Sequence, residues 1–449
     1  MRKVFVFVVL LEILFLAQLG SALDRQPNAD YRARRQALAT KTSGGVVLLF
    51  APTEAEGPNA IYGYRPDRDF FYLSGWAEPG AALLIAPAVE AKGKDPARAY
   101  TEILFLPAHN YAAEKWTGPK LGPENPEAPR ITGFDHVEVL ESMREELVRL
   151  LPQPRATIYT DVPGAGETSN SQTPLEWLSR ANAFPLGVSY QDVRPLLAGL
   201  RTYKDAGEMD RIRKAVNASI AAHFAAMRTL KPGMNEREIS ALMQYEWGKR
   251  GCERPAYAPI VGSGFNSTVL HYSDDSGPIQ SGDVVVIDAA GEYSLYASDI
   301  TRTLPATGKF SARQREIYDI VLGAQRAAIA AFQSGKSYLR RDQPNSIHNV
   351  AYDYINTHGK DLHGEPLGKY FIHGLGHYVG LDVHDAGDYD VPLAPGMVFT
   401  IEPGIYIPEE KLGVRIEDMY YVDASGKLIE MTEELPHTAD EVEHAMAAR

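Results

Sequence analysis

The sequence predicts two domains in series, an α/β domain over residues 23–199 followed by an α+β domain over residues 200–449. A chain of 449 residues is longer than one ordinary hydrophobic core accommodates. Strand-like and helical segments alternate in the first half, whereas long amphipathic helices and separate strand patterns fill the second. The composition, 45% hydrophobic and 23% charged, is typical of a soluble globular protein. A net charge of −13 without a basic patch indicates no nucleic-acid partner.

The first 22 residues predict a secretory signal peptide. MRK gives a positive start, residues 4–19 are almost entirely apolar, and Gly20-Ser21-Ala22 offers small residues for cleavage after Ala22. A retained anchor is the alternative, but the apolar run is short for a membrane span and contains Glu12. We therefore expect an exported protein, periplasmic or secreted, that has no membrane contact after cleavage.

Strand patterns in the first domain are short, apolar and rich in β-branched residues. They are VVLLF (46–50), AALLIAP (81–87), TEILFLP (101–107) and ATIYTDV (156–162). Helical patterns precede and separate them, which predicts an α/β domain.

Helices in the second domain carry clear start and stop signals. Residues 205–230 have apolar side chains at three- and four-residue spacing and end at Lys231-Pro232-Gly233. Asn235 with Glu238, and Ser311 with Gln314, have the spacing of capping boxes at two further helices. Strand patterns follow at residues 283–288, 297–303, 396–403 and 413–422. The second domain should therefore have helices covering a mostly antiparallel sheet.

Carboxylates occur in these strands, where an apolar core would not favour them. Asp288 ends one strand, Asp299 would share a face with Thr301, Glu402 precedes a Pro-Gly break, and Glu417 lies in VRIED. Each alone is most simply a solvent-exposed charge. Four gathered carboxylates would repel one another, and burying an unpaired one is costly. Two divalent cations would neutralise all four charges, and a neutral imidazole could complete the ligand set.

Three of the 12 histidines lie within HGLGHYVGLDVHD, residues 373–385. They are His373, His377 and His384. The glycines between them disfavour a regular helix, since each costs about 1 kcal/mol in a helix interior. The stretch therefore predicts a close-packed turn or strand edge that presents imidazoles to a site.

Motifs in these segments resemble those of the pita-bread metallopeptidases, and most closely the Xaa-Pro aminopeptidase (aminopeptidase P) group. They are IDAAGEYSLYASDITRT, HGLGHYVGLDVHD, FTIEPGIYI and VRIEDMYYV, in that order. The resemblance begins near residue 31 and includes YRPDRDFFYLSGWAEPGAALL, typical of the group's non-catalytic domain. It implies a pita-bread fold for the second domain.

The resemblance also implies a role for each site residue. Asp288 would bind one metal ion, Asp299 and Glu417 would bridge two, and His377 with Glu402 would bind the other. Glu402 would also transfer the proton. The implied cofactor is two divalent ions, with Mn²⁺ expected and Co, Fe or Zn as alternatives.

Other residues are implied to contact the substrate or orient the metal ligands. His271, His373 and His384 match substrate-contacting histidines, and His384 would help to stabilise the developing oxyanion. Arg415 and Tyr406 match positions that orient the bridging carboxylate.

The implied activity is removal of the first residue from peptides with proline in second position. An Xaa-Pro dipeptidase (prolidase) with the same metal site is the nearest alternative. A metal-free relative, either a binding scaffold or a creatinase-like hydrolase, is a more distant one. The resemblance further implies a homo-oligomer, a dimer or tetramer, in which Trp116 would approach a neighbouring subunit.

Overall fold

The computed structural model describes residues 23–53, 63–91, 93, 97–151, 156–162 and 188–448. The predicted signal peptide, residues 1–22, lies outside the described residues. The chain divides into two compact units, Met1–Leu197 and Ala198–Arg449. Within the described ranges, no helix is both long enough and apolar enough to span a bilayer.

A six-stranded mixed sheet forms the first unit. Its strands are β1 (Val46–Phe50), β2 (Ala82–Ala86), β3 (Thr101–Leu106), β4 (His136–Val139), β5 (Thr157–Thr160) and β6 (Ser189–Asp192). They lie in the order β4-β3-β2-β1-β5-β6. The central pairs β1/β2 and β2/β3 are antiparallel, and the outer pairs are parallel. The described helices are α1 (Asn28–Lys41), α2 (Arg68–Ser74), α3 (Glu114–Thr117), α4 (Ala128–Thr132), α5 (Met143–Leu150) and α6 (Arg194–Arg201), the last of which crosses the division.

The four strands predicted in the first domain are all present, each shortened by at most a few residues. The sequence did not reveal β4 and β6, which form the two edges of the sheet. Both alternate between exposed and half-buried residues, so neither has the apolar run of a central strand.

Five further helices belong to the second unit. They are α7 (Ala206–Thr229), α8 (Glu236–Gly248), α9 (Ala312–Ala331), α10 (Ile347–His358) and α11 (Ala439–Ala447). Both predicted capping boxes form, Asn235 with Glu238 and Ser311 with Gln314. These helices pack against the main hydrophobic core of the unit, and α7 contributes a buried row that includes Ala222, Ala226 and Met227.

The strands of the second unit form small antiparallel sheets. They are β7 (Arg254–Pro255), β8 (Ile260–Ser263), β9 (Val284–Asp288), β10 (Gly291–Tyr293), β11 (Tyr296–Ala297), β12 (Thr301–Pro305), β13 (Val398–Ile401), β14 (Gly404–Ile407), β15 (Leu412–Arg415), β16 (Asp418–Val422) and β17 (Leu428–Glu430). The sheet orders are β11-β10-β7, β12-β9-β8, β13-β16-β17 and β14-β15. Every strand pair among the described residues of this unit is antiparallel.

Two predicted strands are interrupted, and the prediction of unbroken strands there is wrong. The stretch 297–303 forms a strand only at its ends, because the Asp299 amide donates to the Met419 sulfur at 3.2 Å instead of to a neighbouring strand. The stretch 413–422 is divided at Glu417, which exchanges two backbone hydrogen bonds with Thr301. Asp299 and Glu417 therefore both lie at breaks in strands.

Candidate metal centre

A cavity of about 350 Å³ in the second unit collects the predicted site residues. Every one of them lines it except Tyr406, which lies behind it. The lining consists of Leu270, His271, Asp288, Asp299, His373, Gly374, Gly376, His377, His384, Glu402, Arg415 and Glu417. Side chains that are far apart in the sequence therefore line one cavity.

Strand ends and strand breaks place the four carboxylates at this cavity. Asp288 is the last residue of β9 and pairs with Thr301 at the start of β12. Asp299 lies just before β12, and Glu417 is bridged to Thr301 from the break between β15 and β16. Glu402 lies between β13 and β14. Because each carboxylate ends or interrupts a strand, its direction is not fixed by the alternation of strand side chains.

His377 lies at the centre of the acidic group. Its Nε2 is 3.3 Å from Asp299 Oδ2 and 3.5 Å from Glu402 Oε1. Its Nδ1 is 3.1 Å from the Tyr378 carbonyl oxygen, an acceptor that places the Nδ1 proton there and directs Nε2 to the acids. One ligand atom each from Asp299, His377 and Glu417 lie within 4.8 Å of one another. This is the spacing of ligands around a common ion.

The buried acids strongly perturb one another's pKa values. Burial raises the pKa of Glu402 to about 7, with His377 opposing the shift and Asp299 adding to it. Burial, followed by the charge of Asp288, raises the pKa of Asp299. Burial also raises the pKa of Glu417 well above its ordinary value, with Asp299 contributing next. Burial lowers the pKa of His377, but its bond to Asp299 and the Glu402 charge outweigh this and raise it to about 9.

These residues fit a pair of divalent cations. Asp299 Oδ1 is buried and has no hydrogen-bond partner among the described residues. This oxygen is therefore available to bind a cation. The raised pKa values mean that the ionised acids are unfavourable where they are buried, and a bound cation would stabilise them. Carboxylate oxygens with one imidazole nitrogen suit Mn²⁺, Fe²⁺, Co²⁺ or Zn²⁺, and Cys252, the single cysteine, is not part of the site.

Arg415 connects two of the carboxylates, Asp288 and Glu417. Its Nη2 donates to Asp288 Oδ2 at 2.6 Å, and its Nη1 donates to the Tyr406 hydroxyl at 2.9 Å. Its Nε donates to Thr301 Oγ1 at 3.2 Å, and that hydroxyl in turn donates to Glu417 Oε2 at 2.6 Å. The expectation that Arg415 and Tyr406 orient Glu417 stays a prediction. Arg415 contacts Asp288 directly and reaches Glu417 through Thr301, and Tyr406 supports Arg415.

Sequence reasoning missed two residues that hold the ligands. The Tyr257 hydroxyl donates to Asp288 Oδ1 at 2.5 Å, and Thr400 Oγ1 donates to Glu402 Oε1 at 3.2 Å. Thr400 stands two residues before Glu402, so strand alternation in TIEPG could have indicated it. Tyr257 lies 31 residues before Asp288, and no pattern connects them.

The other three histidines differ in how many partners they have. His373 Nδ1 bonds to the Gly374 carbonyl oxygen at 2.7 Å, and its Nε2 bonds to the Tyr406 hydroxyl at 2.9 Å. The His384 ring stacks on the His377 ring, with 3.8 Å between the two ring centroids. Within the described chain, neither His384 nor His271 makes a hydrogen bond through its ring. Burial and then the charge of Arg415 lower the pKa of His373 to about 3. Burial and then the charge of His377 lower the pKa of His384 to about 4. Both histidines are therefore neutral near pH 7.

Comparison with known proteins matches both parts of the chain. Residues 210–424 match metallopeptidase family M24, and residues 31–159 match the N-terminal domain of aminopeptidase P. The chain is 32% identical to Xaa-Pro aminopeptidase of Escherichia coli, over 95% of this chain and 99% of that protein. The chain belongs to the aminopeptidase P group of family M24. Xaa-Pro aminopeptidase 3 of Homo sapiens is also 32% identical, over 95% of this chain and 86% of its own.

Solved structures of aminopeptidase P share the whole fold. Proline aminopeptidase P II from Yersinia pestis has a TM-score of 0.80 and 31% identity, covering 94% of this chain and 100% of that one. Zinc-substituted E. coli aminopeptidase P in complex with product has a TM-score of 0.80 and 30% identity, covering 95% and 99%. The aminopeptidase P resemblance and the pita-bread fold predicted from the motifs are both confirmed.

Proposed function

We propose that this chain is a dinuclear-metal aminopeptidase that hydrolyses the N-terminal Xaa-Pro peptide bond and releases the first residue. The observation that carries this conclusion is the gathering of Asp288, Asp299, His377, Glu402 and Glu417 around one cavity. Three relatives that match nearly the whole chain are named Xaa-Pro aminopeptidase or Xaa-Pro aminopeptidase 3, which does not favour the prolidase alternative. A metal-free scaffold is disfavoured because all five positions keep side chains that bind metal.

The five ligand residues would hold two divalent cations, which when bound activate a water molecule and polarise the scissile carbonyl group. Glu402 is the proposed proton carrier. Its Oε1 accepts from Thr400 at 3.2 Å, which leaves Oε2 to take the proton of the attacking water and deliver it to the departing nitrogen. Asp288, held by Arg415 and Tyr257, is proposed to receive the free α-amino group, which would restrict cleavage to the N-terminus.

His384 and His271 are proposed to hold the peptide, and His373 is proposed to support the residues around it. Neutral His384 lies against His377 and has one ring N–H available to donate to the developing oxyanion. His271 is available in the same way at the cavity wall. Both ring nitrogens of His373 are already engaged, so its proposed role is to keep Tyr406 and Arg415 in place as the peptide passes.

The peptide bond that precedes proline explains why such a site is useful. Its nitrogen has no hydrogen, so it cannot donate when a substrate is bound as a strand. A site that binds the carbonyl group and the α-amino group does not need that hydrogen bond. Selectivity for proline in second position then depends on the shape of the cavity beyond the scissile bond.

Cleavage of a short peptide ladder by metal-reconstituted protein tests this function. We expect release of the first residue from Xaa-Pro-Yaa and little release from the matched Xaa-Ala-Yaa. Cleavage of the dipeptide Xaa-Pro alone would indicate prolidase activity instead. Absence of cleavage with every divalent metal would contradict the proposal.

We also propose Mn²⁺ as the resident ion, supported by the oxygen-rich ligand set. Reconstitution of metal-free protein with Mn²⁺, Co²⁺, Fe²⁺ and Zn²⁺ at matched occupancy tests this preference, and equal or greater activity with another ion would contradict it. A dimer or tetramer stays a prediction. Trp116, 91% exposed, leaves a large aromatic surface for a partner, and sedimentation equilibrium of the wild type and Trp116→Ala tests it.

Export through residues 1–22 also stays a prediction, supported by the charged start and the apolar run. N-terminal sequencing of the protein recovered from fractionated cells tests it. We expect a mature chain that begins at Leu23 outside the cytoplasm, whereas an intact N-terminus would contradict cleavage.

A further inference from the structure

A buried carboxylate outside the metal centre organises the loop that carries His271. We call residues 263–277 the His271 loop. Glu236, the first residue of α8, is 0% exposed, and its side chain accepts four hydrogen bonds from this loop. The donors are Ser263 N at 2.8 Å, Asn266 Nδ2 at 3.0 Å, Tyr272 Oη at 2.8 Å and Gly277 N at 2.6 Å.

These contacts span the loop from end to end. Ser263 and Gly277 are its two ends, and Tyr272 directly follows His271. The Ser276 amide donates to the Tyr272 hydroxyl at 3.2 Å, which leaves the hydroxyl proton to the Glu236 carboxylate. Because the His271 ring makes no hydrogen bond within the described chain, its position depends on how its neighbours are held.

Helix capping does not account for the Glu236 carboxylate. The N-terminus of α8 is already capped by Asn235 and Glu238, each bonding the backbone of the other. All four partners of Glu236 act as donors, a pattern that suits a carboxylate and would place one amide hydrogen of glutamine against another donor. At Gly277 an added Cβ would lie 2.8 Å from Glu236 Oε2, so the loop backbone comes unusually close to the acid.

We infer that Glu236 and Tyr272 are positioning residues that hold His271 at the cavity for substrate binding. The inference rests on the proposed function, in which His271 contacts the peptide. Leu270 and His271 both line the cavity, so a shift of this segment moves the cavity wall itself. Tyr272 is the residue next to His271 in the sequence, and removing its hydroxyl group leaves the aromatic ring in place.

A double-mutant cycle on the metal-loaded, full-length enzyme tests the inference. The variants are Tyr272→Phe, His271→Ala and the double variant, assayed for kcat and KM on one Xaa-Pro-Yaa peptide. Loss of the tether should raise KM about 2- to 10-fold, the scale of one hydrogen bond, and leave kcat nearly unchanged. In the His271→Ala background, Tyr272→Phe should change KM by less than about twofold, because the imidazole that the tyrosine positions is already absent.

Tyr245→Phe is the matched control, since Tyr245 lies on α8 and is 64% exposed. Metal content and Tm should be the same in this control and in Tyr272→Phe. If the Tyr272→Phe and His271→Ala effects multiply, or if KM does not move, the positioning role is overturned while the proposed activity stands. If the wild type does not cleave the peptide, the proposed function itself fails.

Glu236→Gln gives a second, independent readout. We expect faster hydrogen exchange in residues 263–277 than in the wild type, with KM raised as in Tyr272→Phe. Unchanged exchange in this loop would overturn the role of Glu236.

Discussion

At the scale of single residues, the metal centre is defined by acids that are unfavourable without bound cations. Asp299, Glu402 and Glu417 all have raised pKa values, first because of burial and then because of a neighbouring acid, which is Asp288 for Asp299 and Asp299 for the two glutamates. In an ordinary core such residues would be replaced by apolar ones, because unpaired buried charge is costly. Their presence together indicates that the site is built for a positively charged ligand.

Replacement of Glu402 by glutamine removes the proposed proton carrier and keeps the size of the side chain. We expect kcat on an Xaa-Pro-Yaa peptide to fall by about 10²- to 10⁴-fold, the usual contribution of a general acid–base group. Single-turnover kinetics with parallel metal analysis would measure it. Near-normal turnover with full metal occupancy would remove Glu402 from this role.

Replacement of Asp299 by asparagine removes one anionic ligand without changing the shape of the side chain. We expect metal affinity to fall by at least about 10-fold, because mutating a residue that only hydrogen-bonds to a metal ligand already lowers affinity by that factor. Metal titration followed by calorimetry would measure it. Asp274→Asn, an exposed carboxylate on the same unit, is the charge-matched control and should bind metal like the wild type.

At the scale of secondary structure, strand breaks set the direction of the proposed ligands. A glycine allows the histidine stretch to pack directly against β13. Gly376 precedes His377, and an added Cβ there would lie 2.0 Å from the Thr400 carbonyl oxygen. The Thr400 amide donates to the His377 carbonyl oxygen at 2.9 Å, which joins the histidine stretch to β13. A glycine is therefore needed because no side chain fits between these two backbones.

A buried ion pair joins β12 to β16 behind the metal centre. Arg302 and Asp418 are both 0% exposed, and Arg302 Nη2 donates to Asp418 Oδ1 at 2.6 Å. Arg302 Nη1 also donates to the Glu417 carbonyl oxygen at 2.9 Å, so the pair supports a ligand-bearing break.

Replacement of Arg302 by methionine should lower the free energy of unfolding by about 3–5 kcal/mol, because it removes the guanidinium group that is paired with a buried carboxylate. Urea denaturation would measure the loss. Adding Asp418→Asn should recover part of it, since the stranded charge is then gone. A double variant as unstable as the sum of the two single variants would show that the charge is not the cause.

At the scale of the whole molecule, all of the predicted site residues belong to the second unit, Ala198–Arg449. Its antiparallel sheets and helices form one large core, and the acidic cavity interrupts that core. Binding of cations to the folded state alone should therefore stabilise the unit.

Metal removal should make stability depend on pH in a defined direction. The pKa of Glu402 rises from 4.5 to about 7 on folding, so its contribution to stability is present at low pH and is lost as pH rises through 7. His377, raised from 6.5 to about 9, acts in the same direction over a higher range. Because cations bind the deprotonated ligands, metal should compensate for both losses.

We therefore expect the gain in Tm on adding Mn²⁺ to be larger at pH 8 than at pH 5. Saturation at 100 times the Kd would add about 2.7 kcal/mol to the free energy of unfolding. Calorimetry of metal-free and metal-loaded protein at both pH values would measure the difference. An equal gain at both values would contradict linkage through these groups, and His377→Ala should reduce the gain at pH 8.

Features that depend on residues close together in the sequence were predictable before the fold was known. Capping spacing located α8 and α9, apolar runs located β1 to β3, and ordered motifs selected the five proposed ligand residues, which line one cavity. These signals are local, since a cap or a buried strand is recognised within a few positions. The edge strands β4 and β6 were missed because half-exposed strands carry little apolar pattern.

Contacts between side chains that are far apart in the sequence follow from the packing of the folded chain. The bonds from Tyr257 and Arg415 to Asp288, the path from Arg415 through Thr301 to Glu417, and the hold of Glu236 on the His271 loop have no local signature. Each depends on where two strand ends or a helix start arrive in space, and a buried polar group accepts whichever donor the packed chain brings to it.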